Sequence, residues 1–223
     1  MIEGIKAVAF DIDGTLYPTW KLFIRMPFYF FSHFSFYYKF NKVRHKMHHT
    51  APLGDFFEYQ ARLYAAIAGL SPADAKKEIK KISYDGLTPF FRKIKPYPHV
   101  YESIKAMKDA GLKIGILSDF PPEQKEDIWG IRDLCDVCIG SEESGALKPS
   151  KYPFGILAQK LNLKPQEILY VGNSRKYDIE GAKNAGMKSA YILSGIRRLF
   201  NLKLKEADFS FKSYRQLKNI VLN

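Results

Sequence analysis

Ile5-Lys6-Ala7-Val8-Ala9-Phe10-Asp11-Ile12-Asp13-Gly14-Thr15-Leu16-Tyr17 carries an apolar run directly into two carboxylates one residue apart. The run through Val8 and Phe10 reads as a buried strand, and Asp-Ile-Asp-Gly closes it. Open α/β sheets place their sites at the carboxyl ends of strands, so both acids fall where a site is expected. One carboxylate can attack phosphorus and form an acyl phosphate, while the other protonates the leaving oxygen and later activates water. Gly14 lets the chain turn sharply behind them. Taken alone, Asp-x-Asp at a strand end is equally well a pair of acidic turn residues.

From about Tyr97 the pattern alternates. It predicts a helix over 99–110 stopped by Gly111, strands at 114–117 and near 137–139, and a helix over 153–161. A strand at 168–171, a helix over 178–185 closed by Gly186 and a strand at 189–193 follow. Alternating units of this kind imply an α/β fold, a parallel sheet with helices on both faces. Between Leu16 and Tyr97 the alternation stops and the chain turns helical and aromatic. Residues 17–96 are therefore expected to form a helical domain inserted into a core of 1–16 and 97–223. One helix inside it is well punctuated, with Ser71 as N-cap, Pro72 at the first helical position and Asp74 at the positive end of the dipole. Lys76, Lys77, Lys80 and Lys81 read as its solvated face.

With 223 residues, of which 46% are hydrophobic and 15% aromatic, the chain can bury a core and an insertion. The formal net charge of +12 favours anionic partners: phosphorylated metabolites, nucleic acid or an acidic membrane surface. The positive charge is spread over both regions and no recognised nucleic-acid module appears, so nucleic acid is not the expected partner. The first ten residues lack the pattern of a secretory signal, and a cytoplasmic location is expected. Cys135 and Cys138 are the two cysteines, spaced C-x-x-C in an apolar run. With no second pair to complete a four-ligand zinc site, they read as structural.

Further signals arrive in order. Ser118 follows the apolar 114–117, Lys148 sits in Gly145-Ala-Leu-Lys-Pro149, and Val171-Gly-Asn-Ser-Arg-Lys-Tyr-Asp178 precedes Gly181-Ala-Lys-Asn-Ala-Gly186. In order, residue type and strand-end placement, these resemble the four motifs of the haloacid dehalogenase (HAD) superfamily, over residues 1–16 and about 97–212. The resemblance implies a Rossmann-like three-layer core with a helical cap inserted after the first strand. An aspartate pair followed by threonine at Thr15 points within that family to phosphatases. The implied reaction is hydrolysis of a small phosphate monoester through an aspartyl phosphate, with a phosphomutase as a neighbouring possibility.

Carried over by position, the resemblance makes Asp11 the nucleophile and Asp13 the general acid and base. Thr15, Ser118, Asp119 and Lys148 would hold the substrate phosphate, with Ser118 as hydroxyl donor and Lys148 balancing charge. Mg²⁺ would be held by Asp11, the main-chain carbonyl of Asp13, Asn173 and Asp178, with several waters retained. Asn173 departs from the family pattern, which normally has aspartate there. An uncharged amide implies weaker Mg²⁺ binding, or, on a harsher reading, a retained fold that no longer catalyses.

The insertion opens with residues 22–40, crowded with Phe and Tyr but interrupted by Arg25, Pro27, His33 and Lys39. Lys42, Arg44, Lys46 and three histidines follow. The apolar stretch is shorter than the roughly 20 residues a spanning helix needs, and charges fall inside it. It reads first as cap core and cap-to-core contact. Sharper readings are peripheral membrane contact, self-association or a platform for a base, any of which would suit a non-catalytic binding protein. His45, His48 and His49 have helical spacing but no evident companion ligand. In the family such a cap closes over the site and keeps stray water from the acyl phosphate.

Overall fold

The structure, a computed structural model, describes residues 1–223. Six strands form one sheet: β1 (Ala7–Phe10), β2 (Lys113–Ser118), β3 (Val137–Gly140), β4 (Ile168–Gly172), β5 (Lys188–Ile192) and β6 (Phe209–Phe211). Their order is β3-β2-β1-β4-β5-β6 and every pairing is parallel. The chain leaves β1 for β2 on one side and returns to β4 on the other, so the crevice at the end of β1 is the topological switch point.

Alternation along each strand splits the core into two layers. Val8, Phe10, Ile114, Ile116, Leu169 and Val171 point to one face, where the helices Val100–Asp109 and Tyr214–Leu222 cover them through Ile104, Met107, Leu217 and Val221. Ala7, Ala9, Leu117, Ile168 and Tyr170 point to the other, under the helix Lys151–Leu161 through Phe154, Leu157 and Leu161. Parallel strands buried on both faces account for the unbroken apolar runs in the sequence.

The insertion between β1 and β2 is helical, as expected. Its main helices are Phe34–Met47, Phe56–Ala68 and Pro72–Ile79. Ser71 caps the last of these by accepting from Asp74 N–H at 3.1 Å, and Pro72 occupies its first turn. Phe36, Phe40, Val43, Met47, Phe56 and Tyr64 close a second apolar cluster, which Leu147 of the core joins. Tyr17, Met26, Leu87, Phe91 and Ile94, at the two roots of the insertion, pack instead with the sheet's larger cluster.

Two expectations need correction. The sheet has a sixth strand, β6, too short to show a period in the sequence; Asp208 fixes its start by accepting from Ser189 N–H at 2.8 Å and Ser189 Oγ at 2.9 Å. The helix expected from Asp178 starts at Arg175, with Ser174 as its N-cap, and winds as a π-helix to Glu180 before Gly181–Asn184 turns α-helical. Asp178 therefore sits inside a helical turn and not at its entrance. Cys135 and Cys138 are half-buried free thiols; burial pushes them up to about 12 and about 11, which favours the protonated form.

Ile104 is fully buried between its helix and the sheet, whereas Ile67 is 45% exposed. Ile104→Ala is expected to lower the unfolding free energy by about 2–5 kcal/mol. Ile67→Ala should change it by less than about 0.5 kcal/mol. Urea denaturation of both variants checks the difference.

Candidate active site

β1 delivers Asp11 at its carboxyl end, anchored by its main-chain N–H donating to the Val171 carbonyl of β4 at 3.0 Å. The side chain is buried. Its Oδ1 accepts from Lys148 Nζ and its Oδ2 from Thr15 Oγ1, each at 2.8 Å. Burial pushes the Asp11 carboxyl up to about 7, against the pull of the Lys148 charge.

Lys148 is the buried cation at the centre. Its Nζ donates to Asp11, to Asp178 Oδ1 at 2.7 Å and to Tyr170 Oη at 3.3 Å. Burial opposes the charge, but Asp11 and Asp178 outweigh it and hold the ammonium protonated far above its ordinary range. Asp178 is oriented by two main-chain N–H groups, of Asn173 at 3.0 Å and Ser174 at 2.8 Å, both donating to Oδ2. Gly172 makes this approach possible: a Cβ there would lie 2.2 Å from that of Asp178. Tyr170 Oη in turn donates to the Leu117 carbonyl at 2.8 Å, tying β4 to β2 beneath the site.

Asp13 points elsewhere, because β1 ends at Phe10 and the chain is already turning toward Gly14, and its side chain keeps 30% exposure. Its Oδ1 accepts from Tyr17 Oη at 2.6 Å; its Oδ2 accepts from Lys125 Nζ at 2.9 Å and from Ser118 Oγ at 3.4 Å. Burial works against the carboxylate, but Lys125 and the Tyr17 hydroxyl outweigh it, and the net shift is downward. Gly14 turns at φ +92°, and a Cβ there would come within 2.4 Å of the Asn173 amide. That contact lets Asn173 Oδ1 share the Thr15 hydroxyl, at 3.1 Å, with Asp11.

The fold thus brings together Asp11, Asp13, Thr15, Ser118, Lys148, Asn173 and Asp178 at the ends of β1, β2 and β4. Asp119 lies alongside in another posture: its Oδ1 accepts from Ser141 Oγ at 2.7 Å and from Lys148 N–H at 3.1 Å, bracing the loop that carries the lysine. Lys125 and Tyr17 were not singled out in the sequence. Lys125 comes from the loop after β2, is itself buried, and has Phe91 and Phe120 rings 4.8 and 5.6 Å from its ammonium.

The insertion is joined to the core beside this group. Arg44, buried in the helix Phe34–Met47, pairs with Glu142 Oε1, donates to the Asp119 carbonyl at 3.4 Å and lies 4.4 Å over the Phe120 ring. Tyr84 Oη donates to the same Glu142 oxygen at 3.1 Å, and burial pushes the Glu142 carboxyl up to about 7 despite Arg44. His48 Nδ1 meets the Lys148 carbonyl at 2.6 Å and its ring stacks on Tyr177. Between the two parts lies a cavity of about 370 Å³ lined by Gln60, Tyr84, Thr88, Pro121 and Gln124.

Parallel sheet, switch-point crevice, paired aspartates and buried lysine define a class, the HAD-like hydrolases. The family model for haloacid dehalogenase-like hydrolase matches residues 5–186, and the chain belongs to that family. It is 27% identical over 222 residues to pyrophosphatase PpaX of Halalkalibacterium halodurans, covering 97% of both chains. It is 30% identical to glyceraldehyde 3-phosphate phosphatase of Methanopyrus kandleri, over 86% of this chain and 85% of that one. Among solved structures, a HAD phosphatase from Thermococcus onnurineus matches with a TM-score of 0.65 at 23% identity over 98% of both chains. CbbY of Rhodobacter sphaeroides in complex with phosphate gives 0.68 at 19% identity over 96% of both. The chain is a hydrolase of this family.

Because the Asp13 pKa is lowered on folding, its pairing stabilises the protein above the ordinary value of 3.8 and loses that contribution as pH falls through the folded value. Lys125→Met should therefore cost about 1.5–3 kcal/mol at neutral pH. The gap between the variant and wild type should narrow below about pH 4, read from urea titrations across that range.

Proposed function

We propose that the chain is a Mg²⁺-dependent phosphatase that works through an aspartyl phosphate on Asp11. The observation that carries this reading is the division of charge at the end of β1. Asp11 and Asp13 each face a lysine of their own, Lys148 at 2.8 Å and Lys125 at 2.9 Å. Asp11 is fixed at the strand end by Lys148 and Thr15, in position to attack, while Asp13 stands beside it with 30% of its side chain exposed, in position to exchange a proton with a leaving group or water.

In the proposed first step an Asp11 oxygen forms a bond to phosphorus as the bond to the leaving oxygen breaks. Asp13, when protonated, gives its proton to that oxygen. In the second step Asp13 takes a proton from water, whose oxygen attacks phosphorus and releases inorganic phosphate and the Asp11 carboxylate. Lys148 and the Ser118 hydroxyl are in reach to stabilise the charge that spreads over the phosphoryl oxygens.

Oxygen donors suited to Mg²⁺ stand together here: Asp11 and Asn173 converge on one hydroxyl, so their oxygens are neighbours. No three His, Cys, Asp or Glu side chains cluster as a metal site, so the ion would rely on Asp11, the Asn173 amide and the Asp13 main-chain carbonyl. Asp178, already engaged by Lys148 and two N–H groups, fits an orienting role behind that set. When bound, the ion would supply Lewis-acid neutralisation of the phosphoryl charge.

Asp11→Asn preserves size and is expected to reduce release of inorganic phosphate by on the order of 10³-fold or more. Chelation should abolish wild-type turnover, and restored Mg²⁺ should recover it. An Asp11→Asn protein as active as wild type across a panel of metabolite phosphates would overturn the mechanism.

Lys125 favours a narrower substrate class, one whose leaving group is itself anionic. Its ammonium flanks Asp13, the proposed donor to the leaving oxygen, and a departing phosphate would meet that charge. The pyrophosphatase relative fits this class. Lys125→Ala should lower kcat/KM for inorganic pyrophosphate by at least about tenfold more than for an aryl phosphate with a neutral body. Equal losses on both substrates would assign Lys125 to holding Asp13 alone.

A further inference from the structure

The two longest stretches of the chain without an acidic residue are 15–54 and 181–205. They also hold eleven of the sixteen exposed large hydrophobic side chains. In the first, Trp20, Phe23, Ile24, Phe28 and Phe31 are 58 to 88% exposed, on short helices that begin the insertion. In the second, Ile196, Leu199 and Phe200 are 66 to 75% exposed, on and just after the short helix Gly195–Leu199. Lys21, Arg25, Arg197, Arg198, Lys203 and Lys205 are interleaved with them, and none has an ion-pair partner, whereas much of the remaining surface is laced with such pairs.

The two stretches border one strip of the core. Lys21 Nζ donates to the Lys95 carbonyl at 3.1 Å, and Arg198 lies close enough to Tyr97 for its charge to act on that hydroxyl. Exposed apolar side chains ringed by unpaired cations suit a surface that is apolar inside and anionic at its rim. We propose that this face docks on an anionic lipid bilayer, with the aromatic and aliphatic side chains entering the headgroup region and the lysines and arginines meeting the lipid charges.

Charge and chemistry disfavour other occupants. A second copy would bring unpaired cations against unpaired cations with no carboxylate to separate them. A single-stranded nucleic acid would use the rings and the charge but leave Ile24, Ile196 and Leu199 without a role, since stacking needs flat faces. A bilayer uses all three kinds of side chain. No helix of the chain is long and apolar enough to cross a membrane, so the contact is peripheral.

The test is flotation of the full-length protein with vesicles of phosphatidylcholine alone and of phosphatidylcholine mixed with phosphatidylglycerol, at low and high salt. Wild type is compared with Phe28→Ser/Phe31→Ser, Leu199→Ser/Phe200→Ser and Lys21→Glu/Arg25→Glu. Lys21 is half-buried and the other five positions are exposed, and all six lie outside the site, so phosphate release should match wild type and melting temperature should change little. The expected result is binding to the anionic vesicles that weakens at least about tenfold without phosphatidylglycerol, in high salt and in each variant. Absence of binding to anionic vesicles overturns the proposal, as does binding that all three variants retain. A wild-type dimer that Phe28→Ser/Phe31→Ser dissolves, without flotation, assigns the face to self-association. Preference for a single-stranded oligonucleotide over vesicles assigns it to nucleic acid.

Discussion

A lysine ammonium removed from water must be matched by negative charge and hydrogen bonds, or it will not remain charged. Lys148 meets that demand with two carboxylates and a phenol, and each partner imposes its own constraint on the fold. Asp178 reaches the lysine only because Asn173 and Ser174 turn their N–H groups on its other oxygen, and because residue 172 has no Cβ. Asp11 reaches it because β1 lies between β2 and β4. The sheet order, the turn after β4 and the loop before Pro149 are thus coupled through one cation. The loop is steadied from outside as well, by Asp119 on the Lys148 N–H and His48 on its carbonyl.

The insertion has a comparable anchor. Glu142 receives Arg44 and Tyr84 on one oxygen, while its second oxygen is buried without a partner. A buried pair with one oxygen unsatisfied gives less net stability than a fully bonded one. The contact registers the insertion against the turn that follows β3, and the Arg44 bond to the Asp119 carbonyl adds the loop after β2.

The core was legible because its signals repeat. Apolar runs punctuated by Gly111 and Gly186 mark the parallel strands and their helices, and the residues at the strand ends fall into one group. Asp11, Ser118, Lys148 and Asp178 could be named because each follows a recognisable strand or sits in a recognisable turn. Lys125 could not: it is 112 positions from Asp13, is one of many lysines, and lies in a Pro-Pro loop with no period. Its partner is set by how the loop after β2 folds under Phe91, a tertiary fact. β6 is too short to carry a pattern, and only the Asp208–Ser189 contacts define it. The π-helical start was missed, although Ser174, which accepts from Tyr177 N–H at 3.1 Å, is an ordinary N-cap residue.

The positive charge of the chain, ambiguous in sequence, separates in the structure into buried cations, surface cations held in ion pairs and surface cations without a partner. Lys125, Arg44 and Lys148 are buried, each facing a carboxylate, and they shape the site and the join above it. The cations of 15–54 and 181–205 that remain at the surface have no carboxylate within their own stretches and no ion-pair partner elsewhere. Such an excess raises self-repulsion, a cost that the exposed aromatic side chains around it do nothing to offset while they face water. An anionic surface relieves both at once, neutralising the charge and burying the rings. The same excess would also concentrate phosphorylated solutes near the molecule, so one composition serves the proposed substrate and the proposed docking face through different residues.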